Sequence, residues 1–173
     1  KQIECISDMA DIVYIRQKEA LGLGHAVYRA KDLVGDEPFA VILPDVLIDS
    51  KVSVTKQLVE IYEKVEKTVI AVKEVPQNKV SSYGIVDPGG DGQYFKLKGM
   101  IEKPEPEEAP SNLSMVGRYI FTSEIMNCLA ETKPGKGGEI QLPDGILKLM
   151  KLEDVYGAKY EGKDYDTGDK LGF

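Results

Sequence analysis

An aspartate that closes an uninterrupted apolar segment is the first residue that could do chemistry. Residues 39–46 read Phe-Ala-Val-Ile-Leu-Pro-Asp-Val, and such a segment predicts a strand buried on both faces of a parallel sheet. Ligands of open α/β sheets bind just beyond the carboxyl ends of these strands. We therefore expect Asp45 to lie at a ligand site; a surface carboxylate or a helix-capping residue would also fit the pattern.

A second carboxylate, Asp166, follows an extended segment at residues 159–161 and stands two residues before Gly168. Hard oxygen ligands suit Mg²⁺, which proteins bind through one or two carboxylates together with substrate phosphates. Asp45 and Asp166 form a candidate Mg²⁺ site if the fold brings them together. The alternative for Asp166 is an Asx-turn carboxylate before a helix.

A turn with two glycines, Gly22 and Gly24, joins a predicted strand to a predicted helix. Backbone exposed at such a turn can contact the edge of a planar base, and a helix N-terminus favours a nearby phosphate. Alone, this signal is weak because glycines are common at helix starts. His25, the only histidine of the sequence, is predicted to be a packed helical residue rather than a catalyst.

Glu102 and Lys103 place opposite charges side by side at a strand end, just before Pro104. One interpretation is a surface ion pair. In the functional interpretation, Glu102 accepts hydrogen bonds from sugar hydroxyls and Lys103 neutralises a phosphate. Because side chains alternate along a strand, both reach one ligand only if the turn at Pro104 rotates one of them. Gly84 either begins a strand or lets a ligand approach the backbone.

Strands and helices alternate in the first half of the chain, and they must position these residues. Apolar and β-branched segments predict strands at residues 12–16, 39–46 and 68–72, and helical periodicity predicts helices at 22–34 and 54–65. This order implies parallel βαβ units.

The second half of the chain has a different pattern. It predicts an antiparallel hairpin from residues 84–87 and 94–98, a strand at 115–121, a helix capped by Thr122 or Ser123, and a helix at 142–152 with Pro143 in its first turn. Neither end of the chain resembles a natural boundary, so we expect a fragment of a longer protein.

Composition excludes several classes of protein. A chain of 173 residues, 42% hydrophobic and 29% charged, predicts one globular domain over residues 1–173. A net charge of -7 with scattered Lys and Arg argues against a nucleic-acid partner. Cys5 and Cys128 are predicted to be free, buried or half-buried thiols. No apolar segment is long enough to span a bilayer and no signal peptide is recognisable, which favours a cytoplasmic protein with no membrane partner.

Nine short motifs, in order, cover nearly the whole chain. They lie at residues 16–18, 22–27, 41–46, 82–86, 101–104, 109–113, 116–119, 138–142 and 166–172. Together they resemble the bacterial UTP–glucose-1-phosphate uridylyltransferases, or UDP-glucose pyrophosphorylases, of the sugar-phosphate nucleotidyltransferase superfamily. The segments Leu-Pro-Asp-Val and Ala-Pro-Ser-Asn-Leu favour this group over its thymidylyl- and adenylyltransferase relatives.

The resemblance implies an α/β, Rossmann-like nucleotidyltransferase fold with a mixed, mainly parallel central sheet flanked by helices and an antiparallel hairpin. It also implies transfer of UMP from UTP to glucose-1-phosphate, giving UDP-glucose and pyrophosphate. The implied site residues are Gln17 and Gly22 for the uracil, Gly84 and Glu102 for glucose hydroxyls, Lys103 for phosphate, and Asp45 and Asp166 for Mg²⁺, with Asp45 and Lys103 catalytic.

The sequence departs from the family in three places. The N-terminal strand with its Gly-x-Gly-Thr-Arg loop, which holds the triphosphate, and the C-terminal helices linked to subunit association are absent from the sequence. Residues 141–145, Gln-Leu-Pro-Asp-Gly, replace the usual Gln-Leu-Thr-Asp-Ala. We therefore expect a homo-oligomer for the full-length protein and no useful activity from residues 1–173 alone.

Three alternatives remain at this point: a thymidylyltransferase or other sugar-1-phosphate nucleotidyltransferase, a non-catalytic nucleotide-sugar-binding module, and a glycosyltransferase. The glycosyltransferase predicts an Asp-x-Asp pair at the metal strand, whereas Asp45 is followed by Val46, Leu47 and Ile48.

Overall fold

The computed structural model describes residues 9–166. The helices are α1 (Leu23–Tyr28), α2 (Lys31–Val34), α3 (Val54–Val65), α4 (Glu124–Ala130) and α5 (Leu142–Leu149), with short 3₁₀ turns at Gln77–Ser82 and Lys136–Gly138. The strands are β1 (Phe39–Ile42), β2 (Val46–Asp49), β3 (Val69–Glu74), β4 (Gly84–Pro88), β5 (Tyr94–Glu102), β6 (Leu113–Phe121), β7 (Tyr156–Lys159) and β8 (Lys163–Asp166). No helix in residues 9–166 is long and apolar enough to cross a membrane.

Six strands form the central sheet in the order β1-β6-β3-β7-β5-β4, and helices pack on both of its faces. The predicted mixed α/β architecture is therefore confirmed. The prediction of mainly parallel pairing is wrong, because β3 and β7 form the one parallel pair among the described strands. Strands β1 and β3 do run in the same direction, as the βαβ pattern predicts, but the antiparallel β6 lies between them.

Strand β3 shows why this sheet needs helices on both faces. Val69 and Ala71 pack with α3, whereas Ile70 and Val72 point to the opposite face and pack with α4 and α5. All four side chains are buried because side chains alternate along a strand and both faces are covered. The strand predicted at 68–72 is thus confirmed, and it has the double burial that was predicted for residues 39–46 instead.

Strand β1 does not have the double burial that we predicted for residues 39–46. Its side chains alternate between half-buried and exposed, and Ile42 is 55% exposed. Within residues 9–166 its pairing is with β6 alone, which makes it an edge strand. The strand ends at Ile42, and the chain turns through Pro44 and Asp45 into β2.

Two local predictions near the start of the described chain are wrong. Residues 12–16 form no strand, and Tyr14 is 90% exposed, because no neighbouring segment of residues 9–166 pairs with them. The helix predicted at 22–34 is divided into α1 and α2. The break lies at Ala30, whose N–H donates to the Val27 carbonyl three residues back, a tighter turn than an α-helix makes.

The predictions for the second half are mostly confirmed. Strands β4 and β5 form the expected hairpin, and α5 has proline in its first turn but ends at Leu149 rather than at residue 152. Ser123 caps α4 by position without a side-chain hydrogen bond. Thr122 instead shares the Glu153 carboxylate with Thr68, which ties β3 and β6 to the segment before β7.

Candidate functional site

A cleft of about 430 Å³ opens where the turn after β1, the β4–β5 hairpin and the start of α5 approach one another. Four of the predicted site residues line this cleft: Asp45, Gly84, Glu102 and Lys103. A larger surface groove around Asp49, Gln57 and Gly162 contains none of them. The cleft is therefore the candidate active site.

One side of the cleft, the strand wall, consists of Gly84, Glu102 and Lys103. Gly84 and Glu102 face each other in the β4–β5 ladder. A Cβ atom on Gly84 would lie 2.8 Å from Oε2 of Glu102 and would also collide with the Met115 methyl group. The missing Cβ thus leaves room for the Glu102 carboxylate, as well as for a ligand that approaches the backbone.

Lys103 turns the chain so that it lines the cleft together with Glu102. Its φ of 50° is left-handed, which is uncommon for a residue other than glycine. Its N–H donates to the Tyr83 carbonyl at 3.0 Å. Because Tyr83 directly precedes β4, this hydrogen bond holds the Lys103 conformation against the start of that strand. This is the rotation at Pro104 that the functional interpretation of the pair requires.

Burial raises the pKa of two acids of the site. The pKa of the Glu102 carboxyl is raised, chiefly by burial; Lys103 opposes the shift and Asp144 adds to it. Burial also raises the pKa of the Tyr119 hydroxyl far above its usual range, with contributions from Glu102 and Asp45. Tyr119 is therefore a neutral hydroxyl at the cleft wall, able to donate a hydrogen bond.

The opposite side of the cleft, the turn wall, consists of Asp45, Val46 and Asp164. Asp45 lies in the turn that leads into β2, and β2 pairs with β8 as a separate two-stranded sheet. In this pairing Val46 stands opposite Asp166. The backbone thus brings the two predicted Mg²⁺ ligands to neighbouring positions, while the side chain of Asp166 lies outside the described part of the structure.

An ion pair connects the turn wall to the central sheet. Lys73, near the end of β3, forms a salt bridge with Asp164, and the Tyr160 hydroxyl donates to the same carboxylate at 3.1 Å. Lys73 also lies 5.9 Å from the centre of the Tyr83 ring. Strand β8 is therefore held through side chains rather than through a backbone ladder to the main sheet.

The described residues contain no cluster of three or more His, Cys, Asp and Glu side chains that could hold a metal. A Mg²⁺ site needs less than that, because the ion commonly takes one or two carboxylates and fills its other positions with phosphate oxygens and water. Asp45 at the cleft and Asp166 beside Val46 fit this requirement.

The predicted nucleotide residues, Gln17 and Gly22, lie beside the cleft rather than in its lining. The Gln17 side-chain amide donates to the Gly22 carbonyl at 3.1 Å and contacts Nδ1 of His25 at 2.9 Å. Leu23, the residue that follows Gly22, does line the cleft. The structure brings Gln17 and Gly22 together, and their contact with a base stays a prediction.

Gly24 explains why this turn is rich in glycine. Its N–H donates to the Ile140 carbonyl at 2.9 Å, and a Cβ on Gly24 would lie 2.8 Å from that oxygen. The turn therefore packs directly on the backbone before α5, which leads on to Gln141 in the cleft lining. His25 is a half-buried helical residue, as predicted.

The sequence assigned no site role to several residues that line the cleft, namely Lys73, Met115, Tyr119, Pro143 and Asp164. Tyr119 could have been found, because it lies in the motif at residues 116–119. Lys73 also gave a signal as a lysine that follows four buried apolar residues of β3. Asp164 gave none, since its partner is 91 residues away.

Cys128 is a free, buried thiol, as predicted, and burial raises its pKa. A protonated thiol in the α4 core is a poor nucleophile, so this residue has no part in the site. Cys5 lies outside the described residues.

Three comparisons place the chain among known proteins. The family model for nucleotidyl transferases matches residues 1–171. The UTP–glucose-1-phosphate uridylyltransferase of Bacillus subtilis (strain 168) is 47% identical over the whole of this chain, which covers 60% of that protein. The chain therefore spans about three fifths of the length of this curated relative.

Two solved structures are also similar. A UDP-glucose pyrophosphorylase complexed with UDP-glucose superimposes with a TM-score of 0.93 at 40% identity, covering 98% of this chain and 66% of the other. A UTP-bound enzyme of the same kind from Acinetobacter baumannii gives a TM-score of 0.85 at 35% identity, covering 99% of this chain and 62% of the other. These matches confirm the resemblance that the sequence motifs predict.

Proposed function

Because this chain belongs to the nucleotidyl transferase family, we propose that the protein containing it transfers UMP from UTP to glucose-1-phosphate, with release of UDP-glucose and pyrophosphate. The observation that carries the proposal is the cleft that collects Asp45, Gly84, Glu102 and Lys103 from separate elements. The named relatives support this choice of substrates, since one is described as a UTP complex and another as a UDP-glucose complex.

The reaction needs positioning and charge neutralisation more than a protein nucleophile. A phosphate oxygen of glucose-1-phosphate attacks the α-phosphorus of UTP, the new oxygen–phosphorus bond forms, and the bond to the β-phosphate breaks to release pyrophosphate. The attacking phosphate oxygen is already ionised at neutral pH, so no side chain has to remove a proton. The protein must orient two polyanions and reduce the repulsion between them.

The strand wall supplies the sugar-phosphate site. The Glu102 carboxylate would accept hydrogen bonds from glucose hydroxyls, and the Gly84 backbone, which lines the cleft, would contact the sugar directly. Lys103 places its ammonium group as a compact positive charge near the phosphates. Their position on one paired hairpin fixes the distance between hydroxyl recognition and phosphate binding.

The turn wall supplies the metal site. Asp45 and Asp166 would hold Mg²⁺, which neutralises phosphate charge when it is bound. Beside the cleft, next to Leu23, Gln17 and Gly22 would contact the uracil. For this the Gln17 amide must give up or share its hydrogen bond to the Gly22 carbonyl.

The test is pyrophosphate release by the intact protein from UTP, glucose-1-phosphate and Mg²⁺. We expect UDP-glucose as the organic product and a clear preference for UTP over dTTP at equal concentration. Faster turnover with dTTP would indicate a thymidylyltransferase, and tight UDP-glucose binding without turnover would indicate a non-catalytic binding module. Either result would reject the proposal.

Residues 1–173 alone provide a second measurement in the same assay. They contain no Gly-x-Gly-Thr-Arg loop, the segment that the resemblance assigns to triphosphate binding. We therefore expect no useful UDP-glucose formation from this piece, and robust pyrophosphate release from it would contradict the assignment of that loop.

The homo-oligomeric state and the cytoplasmic location inferred from the sequence also stay predictions. Light scattering of the intact protein would measure its oligomeric state.

A further inference from the structure

Arg118 lies behind the turn that carries Asp45, and all of its hydrogen bonds in the described structure are to backbone carbonyls. Nη1 donates to the Leu43 and Gly117 carbonyls, both at 2.9 Å, and Nη2 donates to the Val46 carbonyl at 2.6 Å. Leu43 and Val46 flank the Pro44-Asp45 dipeptide. The guanidinium group thus joins the two ends of the turn.

The neighbouring strand leaves space for this arrangement. The Gly117 carbonyl accepts the Leu43 N–H at 2.9 Å, and a Cβ on Gly117 would lie 2.7 Å from the Leu43 Cβ. The turn can therefore lie directly on β6. Arg118 is half-buried and bonds the carbonyls at both ends of the turn. Gly117, Leu43 and Val46 line the cleft, whereas Arg118 does not, so it is not placed to touch a substrate.

We propose that Arg118 is the positioning residue for the Asp45 metal ligand, holding the Leu43–Val46 turn in the geometry that metal-dependent turnover requires. This inference rests on the proposed function. The planar fork of an arginine can donate to both carbonyls at once, whereas a lysine ammonium at the end of a flexible chain cannot hold two such acceptors at a fixed separation. Geometry rather than charge is therefore the property that Arg118 provides.

The proposal predicts that lysine does not replace arginine here. In the intact protein, Arg118→Lys and Arg118→Ala should each raise the Mg²⁺ concentration for half-maximal rate by about tenfold, the effect expected when a residue that orients a metal ligand is lost. The KM for glucose-1-phosphate should stay within about twofold of its original value, because the strand wall lies on other elements. Full recovery by lysine would contradict the proposal.

A destabilised control separates positioning from general loss of stability. Thr68→Val removes a buried hydroxyl from the Thr122 and Glu153 network, which lies at the opposite end of β3 from Lys73. It should lower the melting temperature without changing the Mg²⁺ requirement. If Thr68→Val raises that requirement as much as Arg118→Lys does, the effect belongs to stability and the proposal is overturned.

Backbone hydrogen exchange provides a readout that needs no activity. Arg118→Lys and Arg118→Ala should exchange faster at residues 43–49, and Thr68→Val should not. Unchanged exchange in this segment would overturn the proposal. If the original protein releases no pyrophosphate, the proposed function fails, and exchange alone then decides whether Arg118 holds the turn.

Discussion

The two walls of the cleft are held in different ways. The strand wall is part of a backbone ladder, in which Gly84 stands opposite Glu102 and the hairpin fixes their separation. In the described part of the chain, the turn wall rests on a two-stranded sheet that contacts the rest of the protein through side chains, among them the polar Arg118 and Lys73 and the apolar Val46 and Ile48. A ladder keeps its geometry through many backbone bonds, whereas a few side-chain contacts can be lost one by one.

This difference matches the roles that we propose. Recognition of a sugar requires acceptors at fixed positions before the substrate arrives, and a hairpin meets that requirement. A metal site that is completed by substrate phosphates is assembled only when they bind. Substitutions should therefore separate the walls: strand-wall changes should act on the KM for glucose-1-phosphate, and turn-wall changes on the metal requirement and kcat.

The largest effect should come from the turn wall. Asp45→Asn keeps the size of the side chain but removes the charge that we assign to Mg²⁺ binding, and Asp45→Ala removes the ligand altogether. We expect Mg²⁺-dependent turnover to fall by about 10³-fold or more, the upper range for loss of one group that stabilises charge in the transition state. The measurement is steady-state pyrophosphate release over a range of Mg²⁺ concentrations.

Asp49→Asn is the matched control, because Asp49 ends β2, the short strand that follows Asp45, and lines the separate surface groove. It should leave turnover close to that of the original protein. Retained turnover in Asp45→Ala would reject the metal assignment.

The next effect should come from the strand wall. In Gly84→Ala the new methyl group meets the ends of two flexible side chains, the Glu102 carboxylate and the Met115 methyl group. The fold can yield there by moving those ends, so the carboxylate shifts and the sugar loses its acceptor. We expect the KM for glucose-1-phosphate to rise by about 10- to 100-fold, since misplacements near 1 Å have effects of this order.

Gly90→Ala serves as the comparison, since no atom lies within 4 Å of a Cβ added at that hairpin glycine. It should leave the KM unchanged. If Gly84→Ala altered the Mg²⁺ requirement instead of the KM, the separation between the two walls would be wrong.

A smaller effect is expected from the pair between Lys73 and Asp164. These side chains are 28% and 20% exposed, and we expect a double-mutant cycle to give a coupling free energy of roughly 1 kcal/mol. The exposed pair Lys159–Glu74, at 43% and 64%, should give about 0.5 kcal/mol or less. Denaturant unfolding of the four proteins in each cycle measures both couplings, and equal values would show that the turn wall gains no support from this pair.

The smallest effect concerns pH. The folded protein raises the pKa of the Glu102 carboxyl, so its folded state binds the proton more tightly than its unfolded state. The contribution of this carboxyl to stability is then fully present below the usual carboxyl pKa and is lost as pH rises through the raised value. Relative to Glu102→Gln, the original protein should lose stability between acid and neutral pH.

Unfolding at several pH values measures this difference. Glu105→Gln, at an exposed position three residues further on, is the matched control for the loss of a carboxylate. If the original protein instead lost stability relative to Glu102→Gln as the pH fell, the direction of the pKa shift would be wrong.

The sequence predicted those elements whose apolar faces are covered by other parts of the chain. Strand β3 and helix α3 are examples, because Val69 to Val72 and Leu58 fill cores that these segments form with each other and with β6. The same apolar pattern failed for β1 and for residues 12–16. Apolar composition shows that a segment can be buried, but the partner that buries it lies elsewhere in the chain.

The residues of the candidate site also fall into a group that the sequence could predict and a group that it could not. Glu102, Lys103 and Asp45 could be predicted because each stands at a marked place, beside a proline or at the end of an apolar segment. Their support could not be predicted. Arg118 and Asp164 reach partners 72 to 91 residues away, and no local pattern encodes such contacts. Val46 and Asp166 are still farther apart along the chain, although the family resemblance implied that Asp45 and Asp166 come together.

The most direct test of the central claim, that one cleft binds the sugar on its strand wall and the metal on its turn wall, is a crystal structure of the intact protein with UDP-glucose and Mn²⁺ in place of Mg²⁺. The account predicts an anomalous Mn²⁺ peak roughly 2 Å from an Asp45 carboxylate oxygen, with a glucose hydroxyl hydrogen-bonded to Glu102. UDP-glucose bound in the groove at Asp49 and Gly162, or a Mn²⁺ peak away from Asp45, would contradict it.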